Sequence, residues 1–151
     1  MILFLSRDYF FFTKYGGMPV TKVLIAEDSE TQRNQLRDIL ENEGYEVIVT
    51  EDGEAGFNAY KQHTDVSLII SDYHMPKLDG LGFMTAVKED LPEGRDLPCL
   101  MLTTESSAEF KRKTVHLGLK GVVLKPIDAN TFLSCVKMIL VSSEQRKFPG
   151  K

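Results

Sequence analysis

Groups able to handle a metal ion or a phosphoryl group stand at the points where short apolar runs stop. Glu27 and Asp28 follow Val23-Leu24-Ile25-Ala26, and Asp72 ends Leu68-Ile69-Ile70-Ser71. Thr103 and Thr104 follow Cys99-Leu100-Met101-Leu102, and Lys125 follows Val122-Val123-Leu124. If these runs are neighbouring parallel strands, the carboxylates, a hydroxyl and the ammonium converge on one rim, where parallel sheets open their sites. Clustered carboxylates repel and hold their protons more tightly unless a hard cation neutralises them. Mg²⁺ suits such a cluster, because it binds through one or two carboxylates and fills its octahedron with water and phosphate oxygens. Asp72, at the centre, is then placed to act as a nucleophile toward phosphorus and form an aspartyl phosphate. Mg²⁺, Lys125 and the Thr103 hydroxyl would stabilise the charge on the transferring oxygens.

The elements that must position these groups alternate along the chain. Strand one is read at 22–26. Helix one begins at Ser29, whose spacing to Gln32 fits a capping box, carries Leu36, Ile39 and Leu40 on one face, and ends at Gly44. Strand two spans 45–49, and helix two spans 54–63 with Ala55, Phe57, Ala59 and Tyr60. Strand three is the Asp72 run, followed by a loop with Pro76 and helix three from Gly80, where Leu81, Met84 and Val87 recur. Strand four covers 97–102, and helix four covers 108–117 with Phe110 and Val115 as inward candidates. Strand five covers 121–124. Helix five runs from 129 to 141 with Phe132, Leu133, Val136, Ile139 and Leu140 as a stripe, leaving 142–151 as a solvated tail. Strands alternating with helices predict an α/β doubly wound parallel sheet with helices on both faces. The pattern does not fix the strand order.

The motifs together resemble the receiver domain of bacterial two-component response regulators, over roughly residues 19–141, with 18–141 as the domain. They are the acid pair Glu27-Asp28, the run Ser71-Asp72-Tyr73-His74-Met75-Pro76 with Asp79-Gly80 after it, Thr103 at a strand end, and Lys125-Pro126. The resemblance implies a flavodoxin-like five-stranded sheet in the order 2-1-3-4-5. It implies Asp72 as phosphoacceptor, and Mg²⁺ held by Glu27, Asp28, Asp72 and the backbone carbonyl of His74. It also implies Thr103 and Lys125 as the catalytic partners and a cis Lys125-Pro126 bond, which only proline makes cheap. The implied function is a single-domain phosphoryl-accepting switch in a phosphorelay, which catalyses only its own phosphorylation and dephosphorylation and is otherwise not an enzyme. Its implied partners are a sensor histidine kinase or histidine phosphotransfer protein upstream, and a downstream protein that binds helix four, strand five and helix five. Three positions depart from the common pattern: Glu27 replaces the more frequent Asp, Thr104 replaces a small residue, and Val122 replaces the aromatic whose rotation reports phosphorylation. The switch residues are thus Thr103, Thr104 and Val122, with the last unable to act in the usual way.

Two rivals are weighed against this reading. A haloacid-dehalogenase-type phosphatase also uses an Asp and Mg²⁺, but it needs Asp-x-Asp after the first strand, where this chain has Glu27-Asp28-Ser29. A pseudo-receiver that is never phosphorylated would be expected to have lost the acid pair, the acceptor or Lys125. His74 lacks a second imidazole at ligand spacing and is a poor zinc ligand, and His63 and His116 read as surface residues.

The remaining composition sets bounds. At 151 residues the chain is one domain's length. Its 18 basic and 22 acidic side chains give a formal charge of -4, which offers no global field for nucleic acid. Cys99 and Cys135 lie within apolar patterns and read as buried free thiols, fitting a reducing cytoplasm. No stretch reaches the roughly 20 apolar residues that span a bilayer. Residues 1–17 carry apolar clusters, Met1 to Leu5 and Tyr9 to Phe12, without the pattern of a signal peptide. They are read as an N-terminal extension, either from an upstream start that is not used, which is preferred, or as an arm that docks.

Overall fold

The computed structural model describes residues 20–147, with side chains to Glu144. The readings of 1–17 and of 148–151 lie outside the described residues. The elements are β1 (Lys22–Ala26), α1 (Glu30–Asn42), β2 (Glu46–Thr50), α2 (Gly53–Gln62), β3 (Val66–Asp72), α3 (Gly80–Asp90), β4 (Cys99–Thr103), α4 (Ala108–Leu117), β5 (Gly121–Leu124) and α5 (Ala129–Lys147). All strand pairs are parallel, in the order β2-β1-β3-β4-β5.

The central strands are apolar throughout because both faces are covered. Side chains alternate between faces, so Leu24 and Ala26 of β1 pack with Ile69, Cys99 and Met101 under α2, α3 and α4. Val23 and Ile25 pack with Leu68, Ile70, Leu100 and Leu102 under α1 and α5. A register shift between β1 and β3 pairs Lys22 with Val66 but Val23 with Leu68. The extra residue moves Val66 to the face opposite Leu68.

Local chemistry starts the helices. The side chains of Ser29, Asp52, Asp79 and Ser107 accept the backbone N–H of Gln32, Ala55, Gly82 and Phe110 respectively, satisfying donors that α1 to α4 would otherwise leave bare. At Ser29 only half of the expected capping box forms. The Ser29 N–H donates to Glu27 Oε1 at 3.1 Å, and the Gln32 side chain points elsewhere.

Three packing expectations change. On α3, Phe83 is fully buried beside Met84 and Val87, while Leu81 is only partly covered. On α4, Phe110 is buried but Val115 is 79% exposed, and Thr114 takes the inward position. Phe110 and Thr114 are four apart, so they share one helical face, and Val115 lies about 100° away from Thr114. The solvated tail expected from 142 is helical as far as Lys147, because that stretch contains neither Gly nor Pro and ends in good helix formers. No helix among the described residues is long and apolar enough to cross a membrane.

The register brings the strand ends level. Ala26 pairs with Ser71, Asp72 with Leu102, and Thr103 with Leu124, so Glu27, Asp72, Thr103 and Lys125 follow neighbouring positions on one edge. Backbone bonds continue past the strands, from Glu27 N–H to Thr50 O at 3.0 Å, Tyr73 N–H to Leu102 O at 3.0 Å and Lys125 N–H to Thr103 O at 2.9 Å. They fix where the site's side chains leave the backbone.

Candidate functional site

Three carboxylates meet at this edge. Ligand oxygens of Glu27, Asp28 and Asp72 lie within 4.8 Å of one another. Glu27 and Asp72 are buried at strand ends, while Asp28 is one residue further on and open to solvent. Lys125 closes the cluster from β5, with its Nζ 3.2 Å from Glu27 Oε2 and 3.2 Å from Asp72 Oδ2. The Lys125–Pro126 bond is cis. Behind the acid pair, Arg33 Nη1 donates to Glu27 O at 2.7 Å, clamping the backbone that carries the two acids.

Burial and the nearby Asp72 charge push the Glu27 carboxyl above its ordinary range, against the opposing pull of the Ser29 N–H and Lys125. Three carboxylates share one ammonium, so the cluster is short of positive charge. Its donors are carboxylate oxygens with one side open, which suits a hard divalent cation such as Mg²⁺ and leaves room for water and an incoming phosphoryl oxygen. Neither zinc's thiolates nor a pair of imidazoles is present in the cluster.

The other expected residues surround it. Thr103 is buried, and its hydroxyl accepts the Glu105 N–H at 2.9 Å. Glu105 Oε1 in turn accepts the Ser107 N–H at 3.0 Å, and Ser107 caps α4. Thr104 is exposed and lines a groove of about 490 Å³ with Gln32, Leu36, Lys125 and Pro126. His74 is exposed, with its ring 4.3 Å from that of Tyr73 in an edge arrangement. Tyr73 also packs edge-on against Phe110 at 5.0 Å, joining the residue after Asp72 to α4. Val122 is 39% exposed on an edge strand, paired with Met101 of β4.

Gln32 is the group that motif reading missed. Its Oε1 accepts from Lys125 Nζ at 2.7 Å, inside the site. The available signal was its place in the first turn of α1, the helix that starts just after the acid pair.

Residues 23–137 match the sequence model of the response regulator receiver domain. The chemotaxis protein CheY of Treponema pallidum is 33% identical over 129 residues, covering 84% of this chain and 87% of that protein. The probable chemotaxis protein CheY of Rhizobium etli is 31% identical over 119 residues, covering 78% of this chain and 91% of that protein. Among solved structures, the chemotaxis protein CheY4 of Vibrio cholerae aligns with a TM-score of 0.74 at 32% identity, covering 80% of this chain and 99% of its own.

Proposed function

The chain belongs to the response regulator receiver domain family of two-component signalling, and from that premise we propose that Asp72 accepts a phosphoryl group from a phosphohistidine on a sensor kinase or phosphotransfer protein. The observation that carries this is the Lys125 ammonium lying 3.2 Å from both Asp72 and Glu27, with Asp28 open beside them. An Asp72 oxygen attacks phosphorus, the bond from phosphorus to the donor's imidazole nitrogen breaks, and the imidazole leaves with its electron pair. Lys125 and the Thr103 hydroxyl donate to the phosphoryl oxygens. Asp28, Asp72 and the His74 carbonyl would hold Mg²⁺, with Glu27 acting through water. The bound ion supplies charge neutralisation to the transferring oxygens. Nothing in this scheme acts on a separate substrate, so the chain's chemistry is confined to gaining and losing its own phosphoryl group.

Phosphorylation adds nearly two negative charges at the end of β3. If the Thr103 hydroxyl turns toward them, it releases the Glu105 N–H, and with it the run of bonds through Ser107 to the Phe110 N–H. Helix α4 is the natural element to move, since only Phe110 and Thr114 are buried on it. Val122 has a short, stiff side chain and cannot report the change as an aromatic would. Val115 and Leu124 leave apolar surface on α4 and β5, 79% and 55% exposed, for a downstream protein to read together with α5. The setting is cytoplasmic, where phosphohistidine donors and Mg²⁺ are at hand.

Metal titration and amide exchange test this reading. Asp28→Ala should bind Mg²⁺ far more weakly than wild type, and an unchanged affinity would move the metal elsewhere. Beryllofluoride, a stand-in for the phosphoryl group, should change amide protection chiefly over residues 104–117. Changes confined to α1 or α2 would refute the switch, and a chain that binds no beryllofluoride would be an interaction module only.

A further inference from the structure

We infer that Gln32 is a positioning residue that tethers Lys125 away from the incoming phosphoryl group, an inference that rests on Asp72 being the acceptor. Lys125 Nζ donates to Gln32 Oε1 at 2.7 Å, against 3.2 Å to Glu27 Oε2 and 3.2 Å to Asp72 Oδ2. An ammonium has three donors; two are spent on Gln32 and Glu27, and the contact with Asp72 is an ion pair. The shortest of these contacts holds the ammonium toward Gln32 rather than toward the acceptor.

The three acceptors are not equivalent. Glu27 and Asp72 attract the ammonium by charge, so Lys125 would stay at the acceptor without Gln32. A cation bound to the carboxylates weakens that attraction but leaves the neutral amide's hold unchanged. Gln32 is then the partner that goes on holding the ammonium once the carboxylates are neutralised, and so opposes its turn toward the phosphoryl group. The amide has no competing task in its own helix. Its N–H starts α1 by donating to Ser29 Oγ, whereas the Ser29 N–H, which a capping-box glutamine would satisfy, is already taken by Glu27 Oε1 at 3.1 Å. The amide oxygen must face Lys125, since the ammonium can only donate. Gln32 also lines the groove with Leu36, Thr104 and Pro126, on the open side of Lys125.

The test compares wild type, Gln32→Leu and Gln32→Glu by calorimetric titration, first with Mg²⁺ alone and then with beryllofluoride at saturating Mg²⁺. Gln32→Leu frees one donor and should bind beryllofluoride about three- to tenfold more tightly, the worth of one modest hydrogen bond. Its Mg²⁺ affinity should move less, because the amide oxygen is bonded to the ammonium and not to a carboxylate. Gln32→Glu is nearly isosteric and holds Lys125 with a charge, so its beryllofluoride binding should weaken. A merely structural role for Gln32 would make Gln32→Leu weaken both ligands together. Beryllofluoride binding that is unchanged or weaker in Gln32→Leu, or that moves the same way in both variants, overturns the tether alone. A wild type that takes up no beryllofluoride overturns the acceptor reading and the tether with it.

Discussion

Gly80→Ala should be among the most costly single-methyl additions in this chain, because Gly80 is where α3 meets the strand that carries the acceptor. Its N–H donates to Tyr73 O at 2.8 Å. A Cβ there would collide with the Asp72 carbonyl oxygen and lie 2.9 Å from Met101 Sδ and 3.0 Å from Tyr73 Cα. Met101 can move its sulfur, but the other two contacts are backbone of the acceptor loop and cannot rotate away. Overpacking a well-packed site costs about 1–3 kcal/mol, and the rigid neighbours put this substitution near 3 kcal/mol. With a urea dependence of about 2 kcal/mol per M, the midpoint should fall by about 1.5 M at an unchanged slope. Gly118→Ala is the control. It has a φ of +76° and nothing within 4 Å of its Cβ, so it bears only left-handed backbone strain, about 1 kcal/mol. Because relief of the clash must shift the Asp72 carbonyl, phosphoryl uptake from acetyl phosphate should slow by about tenfold or more as well, whereas Gly118→Ala should leave it near wild type. A loss within about 0.5 kcal/mol of wild type, or equal to that of Gly118→Ala, would refute the close-approach argument.

Other perturbations probe separate parts of the account. Phe110→Ala should cost about 3–5 kcal/mol and Val115→Ala close to nothing, because the first side chain is 4% exposed and the second 79%; equal costs in urea melts would contradict the packing of α4. Asp128 accepts the Thr131 N–H and hydroxyl at the start of α5, which lowers its pKa from 3.8. Its stabilisation is therefore complete above 3.8 and is lost as pH falls through the lower folded value. The stability gap between wild type and Asp128→Ala should be wide at about pH 7 and narrow at about pH 2, and a gap independent of pH would refute the cap's charge. Burial pushes the Cys99 thiol up to about 12, while the half-buried Cys135 is raised less far from its ordinary value. Thiol reagents at neutral pH should therefore modify Cys135 slowly and Cys99 only after unfolding; rapid labelling of Cys99 would contradict its place in the core.

The parts of the fold that were legible in the sequence are those determined locally. Strands covered on both faces read as apolar runs, and a polar residue at the end of such a run marks a strand terminus whatever its partners are. Ser29 announces its helix by capping chemistry that acts over three residues. The strand order came from the resemblance to receivers, because pairing connects positions far apart and leaves no periodic trace. On α4 few apolar residues define the face, so Val115 and Thr114 could not be ranked from pattern. The helical stretch from Ser142 reads like a coil because an exposed helix is as polar as one. The bond between Gln32 and Lys125 joins residues 93 apart, and only the alignment of β1 with β5 through the sheet reveals it.

The central claim is that Asp72 accepts the phosphoryl group in a Mg²⁺-dependent reaction. The direct measurement is intact mass and peptide mapping after incubation with acetyl phosphate, with and without Mg²⁺, for wild type and Asp72→Asn. The account predicts one phosphoryl increment on the peptide containing Asp72, seen only with Mg²⁺ and absent from the folded Asp72→Asn variant, whose amide keeps the shape but is not nucleophilic. An increment that persists in Asp72→Asn, maps fully to another residue or forms equally without Mg²⁺ would contradict it.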